Sequence, residues 1–148
     1  MISGVLGVLF FVHGLITTGI GVGGVADGGR RAWADPGLPN APWLSWWPMN
    51  LGRSWLIDAS PLGPSGYALG GLIWLASGVA FAGAGLGLFG VPGLRGLWQP
   101  LALAGGACGL TAVVLFFHPW YVLALLINLA VLATRAGTER SPFTLAGA

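Results

Sequence analysis

Long apolar stretches separated by short polar breaks dominate this chain, and their lengths are typical of membrane-spanning helices. A spanning helix needs about 20 mostly apolar residues, because the hydrocarbon core is about 30 Å thick and each helical residue rises about 1.5 Å. Four stretches have this character, at about residues 2–25, 66–89, 97–117 and 120–134. The pattern predicts an all-α polytopic integral membrane protein, a bundle of four transmembrane helices forming a single membrane domain over residues 1–148.

The predicted breaks contain the residues that usually end helices. Residues 91–96 combine proline, glycine and an arginine, which favours a turn between the second and third stretches. His118-Pro119 divides an apolar run that is too long for one span, so we predict two helices joined by a tight turn. The first stretch lacks the positively charged start of a signal peptide, and we interpret it as a retained helix.

The segment from residue 26 to residue 65 differs from the rest because it holds five of the eight tryptophans and six of the ten charged residues. Tryptophan prefers the headgroup zone, where its ring is buried and its N–H stays hydrated. We predict an outer-surface loop with a short amphipathic helix at about 48–58. An irregular loop folded over the bundle is the alternative. The predicted membrane-interface residues are Trp43, Trp46, Trp47 and Trp55.

Composition agrees with a lipid-facing surface. Charged residues make up 7% of the chain, against about 25% in typical soluble domains, and there is no lysine. A net charge of +2 without an arginine run gives no indication of nucleic acid as a partner. The lone Cys108 excludes an intramolecular disulfide.

Orientation rests on a weak charge signal. Three arginines flank each side of the predicted topology, so the positive-inside rule is balanced. The long first loop is more readily translocated, which favours cytoplasmic termini in a bacterial inner membrane.

Small residues in the second stretch predict close helix packing. Lipid tails are as apolar as leucine, so membrane helices associate through surfaces that fit closely. A glycine or alanine recurs in steps of four, interrupted by Trp74, and a second set repeats that spacing. The predicted packing residues are Gly66, Gly70, Gly78, Ala82, Gly83 and Gly87.

Few polar side chains fall inside the predicted spans, and such groups are candidates for function. Helical rise places His13 about 18 Å from the inner end of its span and Asn128 at nearly the same depth. The favoured interpretation is that His13 and Asn128 hydrogen-bond each other or a neighbouring carbonyl, contributing about 1 kcal/mol. A ligand-lining or proton-handling role is the second interpretation, with His13, Asn128, Thr111 and Trp74 as the candidate ligand-binding residues. A third is that His13 and Asn128 do not meet. His118 lies about 10 Å from the level of His13, a poor arrangement for two haem ligands, and no cofactor or metal is predicted.

Three strings resemble small bacterial four-helix membrane proteins whose first span opens with "HGLI". These strings are Phe11–Ile16, Leu69–Ala76 and Leu126–Ala130. The arrangement is also similar to DoxX-like proteins, a resemblance that implies a four-helix inner-membrane fold and a link to respiratory or redox complexes. The charged residues expected in a DoxX-like first helix are missing, so the resemblance implies little about activity.

Three functions remain open from the sequence. The first is a non-enzymatic subunit or scaffold that associates with itself or with other membrane subunits. The second is a binding or transport module for a lipophilic molecule such as a quinone, lipid or pigment, in a cavity under the Trp-rich loop. The third is a membrane enzyme acting on a lipid, using His13 with Arg53 and Asp58 of the first loop.

Overall fold

The computed structural model describes residues 2–26, 61–62, 64–117 and 121–139. Four helices account for most of them, which confirms the prediction of a helical fold for the described part of the chain. The described helices are α1 (Ile2–Ala26), α2 (Pro64–Leu88), α3 (Trp98–Leu115) and α4 (Val122–Glu139). The predicted surface helix at 48–58, the four interface tryptophans and His118 lie outside the described residues.

The four helices pack in chain order, each antiparallel to the one before. Residues early in α2 meet the end of α3, because Gly70 lies against Phe116, directly after α3, while Gly83 lies against Leu101 near its start. The same reversal holds between α3 and α4, where Gly106 contacts Val131 and Gly109 contacts Asn128. The connections between α2 and α3 and between α3 and α4 are short, which favours this up-and-down order.

Glycines spaced seven residues apart bring α1 and α2 into backbone contact. A Cβ placed on Gly14 would lie 2.7 Å from the Gly78 carbonyl oxygen, and one placed on Gly85 would lie 2.8 Å from the Gly7 carbonyl oxygen. Gly21 and Gly71 make the equivalent pair one step further along. A seven-residue repeat keeps one helix face toward its partner over several turns.

The predicted packing residues divide among several partners. Gly78 and Ala82 face α1 at Gly14, whereas Gly70 and Gly83 face α3. Gly87 lies against the turn before α3, where its Cβ would meet Leu94 and Trp98; Gly66 is buried. The closest contacts therefore follow steps of seven, where the sequence suggested steps of four, because a seven-residue repeat returns to the same face of a straight helix more closely.

Helices α2 and α3 end at the breaks predicted from the sequence. Gly90 and Gly93 follow α2 with φ values of 87° and 82°, in the left-handed region that glycine enters without strain. At the end of α3 the Phe116 N–H donates to the Ala112 carbonyl oxygen, and a new helix begins at Val122. The run around His118-Pro119 thus forms two helices, as predicted.

Two apolar clusters fill the bundle. One contains Trp74, Tyr67, Tyr121 and Phe116, and the other is centred on Phe81 with Phe10 and Ala102. Three helical segments, Ser3–Val25, Ser65–Leu88 and Trp98–Leu115, are long and apolar enough to cross a membrane. The apolar part of α4, Val122–Thr134, is shorter.

Candidate functional site

A buried polar cluster joins α2, α3 and α4 in the middle of the bundle. Asn128 and Ser77 are both almost fully buried. The Ser77 hydroxyl donates to the Gly105 carbonyl oxygen at 2.8 Å, a bond between α2 and α3. Both side chains also meet at Gly109, because a Cβ there would lie 2.6 Å from Asn128 Nδ2 and 2.8 Å from Ser77 Oγ. Glycine at 109 therefore makes the room that the Asn128 amide occupies.

The Asn128 amide is the least satisfied polar group of this cluster. Within the described part of the chain, neither its Nδ2 nor its Oδ1 has a hydrogen-bond partner. Burying an amide without a partner costs about 1–3 kcal/mol on the scale of protein mutations. The amide combines two donors with an acceptor, so the cluster can both give and receive hydrogen bonds.

His13 of α1 contacts an aromatic ring of α2. It is partly buried, and its ring stands edge-on to Phe81 with centroids 4.9 Å apart. Phe81 also lies against Gly105 on α3, whose carbonyl oxygen accepts the Ser77 hydrogen bond. The Phe81 ring therefore contacts both His13 and a residue bonded to the polar cluster. The interpretation in which His13 and Asn128 hydrogen-bond each other is not realised, since the Asn128 amide has no partner among the described residues.

The other two predicted site residues do not join the cluster. Thr111 is exposed, and its hydroxyl donates to the Ala107 carbonyl oxygen of its own helix at 2.9 Å. Trp74 is buried in the aromatic cluster, with its ring 5.0 Å from that of Tyr121. Its Nε1 has no hydrogen-bond partner among the described residues.

A second feature is an apolar pocket of about 330 Å³ at the end of the bundle opposite Trp74. Leu6 and Phe10 of α1 form one wall, and Val131 of α4 forms the other. Leu103 and Ala102 of α3 lie between them. The pocket occupies the gap between the first and last helices, which the consecutive packing order leaves unfilled.

Polar side chains mark one end of this pocket. Gln99, at the start of α3, and Thr134, late in α4, are both exposed lining residues. Trp98 lines the same end, and the turn that contains Arg95 precedes it. No sequence pattern predicts this pocket, because its lining comes from three helices and consists mostly of ordinary apolar residues.

No family model, curated protein or solved structure matches the chain. Among the described residues, no group of three or more His, Cys, Asp or Glu side chains could hold a metal ion. The Asn128–Ser77 cluster offers hydrogen-bonding groups, and the pocket offers apolar contact.

Proposed function

We propose that the protein crosses a membrane four times and acts as a small subunit that associates with another membrane helix. Support for the membrane location comes from the distribution of side chains. Large apolar residues cover the outer faces of the helices, while Thr17, Ser77 and Asn128 are buried. Monomeric soluble proteins rarely expose contiguous apolar patches larger than a few hundred Å².

Helix α4 fits this proposal although its apolar part is short. Its 18 residues correspond to about 27 Å, close to the thickness of the hydrocarbon core. Its charged residues, Arg135 and Glu139, belong to its last turns and not to its centre. A bacterial inner membrane with cytoplasmic termini, and the DoxX-like resemblance, stay predictions.

The exposed face of α1 is the main support for the proposed role as a subunit. Exposed positions recur there in alternating steps of three and four, the spacing of helix–helix seams. Gly19 adds a small residue to this face, and a Cβ there would meet nothing within 4 Å. The seam positions are Val5, Val8, Val12, Leu15, Gly19 and Val22. A second membrane helix, from another copy or another subunit, fits this seam.

Photo-crosslinking in native membranes tests this proposal. Benzoylphenylalanine replaces Val12 in the seam or, as a control, Val79 on α2. The two positions are matched, because the α1–α2 register puts them at similar heights along the bundle and both side chains are about half exposed. We expect a protein adduct from position 12 and little from position 79. Its mass distinguishes a second copy from another subunit. Equal yields at the two positions, or release of the protein from membranes by alkaline carbonate, would refute the proposal.

A lipophilic-ligand module is the second candidate function, and the apolar pocket favours it. The pocket lies at the end of the bundle away from Trp74, so its lining differs from the predicted His13, Asn128 and Trp74 set. A lipid-acting enzyme would require Arg53 and Asp58, which lie outside the described residues.

A further inference from the structure

We propose that the pocket between α1, α3 and α4 holds one acyl chain of an anionic glycerophospholipid, with the headgroup at the Arg95–Gln99 end. The inference rests on the proposed membrane location. It goes beyond that proposal by assigning a site, an orientation and a ligand class to one face of the bundle.

The size and lining of the pocket suit a hydrocarbon chain. Its volume of about 330 Å³ lies at the lower end of the range for small-molecule sites. It has room for roughly ten methylene-sized groups, taking about 30 Å³ for a water-sized group. Phe10 and Ala102 are nearly fully buried in its wall, and Leu6, Leu103 and Val131 are partly buried. A chain here would cover apolar surface that no neighbouring helix covers.

The polar residues at one end set the direction of the lipid. Gln99 supplies amide donors and an acceptor at the rim, and Trp98 beside it is a residue type enriched at membrane interfaces. The opposite wall, at Phe10, is apolar. The headgroup therefore belongs at the Gln99 end, with the chain pointing toward the middle of the bundle.

Charge at this end favours an anionic headgroup over a zwitterionic one. Arg95 is exposed and lies four residues before Gln99. Basic residues at the membrane surface attract anionic lipids by about 1 kcal/mol each, which corresponds to about fivefold in binding.

Leu103 is the position at which a larger side chain would best fill the pocket. It lines the pocket but belongs to neither buried apolar cluster, so a larger ring at this position fills the pocket without displacing the core. Ala104, the next residue, is exposed on α3 and provides a matched control. The two variants are Leu103→Trp and Ala104→Trp.

The test uses the full chain reconstituted in vesicles doped with phosphatidylglycerol carrying a diazirine on one acyl chain. Mass spectrometry then maps the labelled residues. We expect preferred labelling of Phe10, Leu103 and Val131, lost in Leu103→Trp and kept in Ala104→Trp. A phosphatidylcholine probe should label the pocket less, and Arg95→Gln should reduce the preference for the anionic probe about fivefold.

The outcomes separate this inference from the membrane proposal. Labelling spread evenly over the exposed faces of α1 and α4, or unchanged in Leu103→Trp, overturns the lipid site while leaving membrane insertion supported. Absence of labelling anywhere on the helices overturns the membrane location itself. A crosslink between two copies through the pocket would identify a second protein chain as the occupant and refute the lipid site.

Discussion

The α1–α2 pair and the α3–α4 pair use glycine in different ways. Between α1 and α2, a Cβ on Gly14 would lie 2.9 Å from the Ala82 Cα, and one on Gly85 would lie 2.7 Å from the Phe11 backbone nitrogen. Between α3 and α4, a Cβ on Gly106 would meet Val131 Cγ1 at 3.4 Å and the Asn128 carbonyl oxygen at 3.5 Å. The first interface is backbone against backbone, and the second is largely spaced by side chains.

This difference determines how much each interface can adjust. Backbone atoms within a helix are fixed by their own hydrogen bonds, so an added methyl group at the first interface must push two helices apart. Side chains at the second interface can change rotamer. The apolar pocket between α1, α3 and α4 is likewise walled by side chains.

Gly14→Ala should be the most damaging small substitution of those considered. Overpacking a close contact costs about 1–3 kcal/mol, and we expect the upper end because the clash is with backbone atoms of Gly78 and Ala82. The free energy of unfolding by SDS titration in mixed micelles measures this loss.

Gly19→Ala is the matched control for this substitution. Gly19 lies on the same helix, and a Cβ there would meet nothing within 4 Å. Alanine in a helix interior is favoured over glycine by about 0.5–1 kcal/mol, so the control should be neutral or slightly stabilised. Equal losses of unfolding free energy in Gly14→Ala and Gly19→Ala would show that Gly14 is not in backbone contact with α2. The contrast between the two helix pairs would then be wrong.

The fold was largely predictable from the sequence because its signals are local. The length of each apolar stretch gave four helices, and Pro92-Gly93 and His118-Pro119 marked two of the breaks. The glycine register was harder. Small residues show which helix can pack closely, but the pairing of Gly14 with Gly78 depends on both helices at once.

The candidate site was less predictable because it depends on how the helices are rotated toward one another. Helical rise fixes the depth of a residue but leaves its rotation around the helix open. His13 therefore faces Phe81, and Thr111 bonds to its own helix, although both were predicted beside Asn128. Ser77, which was not among the predicted ligand-site residues, lies beside Asn128 because Gly109 leaves room for both.

Gly109→Ala extends the comparison to the α3–α4 interface, where we expect a smaller loss than at Gly14. The added methyl group would meet Asn128 Nδ2 and Oδ1 and Ser77 Oγ, all of them ends of side chains that can rotate. A loss of about 1–2 kcal/mol is expected in the same unfolding measurement.

A double-mutant cycle with Asn128→Ala identifies the source of that loss. Truncating Asn128 removes two of the three atoms that the new methyl group would meet, so Gly109→Ala should cost much less in that background. Additive losses would mean that the Asn128 amide does not lie against Gly109.

Ser77→Ala tests the hydrogen bond that joins α2 to α3. The Ser77 hydroxyl donates to the Gly105 carbonyl oxygen at 2.8 Å, and interhelical bonds of this kind in membrane proteins contribute about 0.6 kcal/mol. We expect a loss of that size. Thr111→Val, which removes an exposed bond within one helix, is the control and should change stability less. A larger loss at Thr111 would show that the buried bond is not the stronger one.

Gly106→Ala has the smallest expected effect and the opposite sign. A Cβ at Gly106 would meet Val131 and Leu132 side chains at 3.4–3.5 Å, which is ordinary van der Waals contact. The new methyl group should therefore fit, and the helix gains about 0.5 kcal/mol because alanine loses less backbone entropy than glycine. Unfolding in mixed micelles should show a small gain in stability, where Gly14→Ala shows a large loss. If Gly106→Ala instead destabilises the protein as much as Gly14→Ala does, α3 and α4 are in backbone contact too, and the contrast between the two helix pairs is wrong.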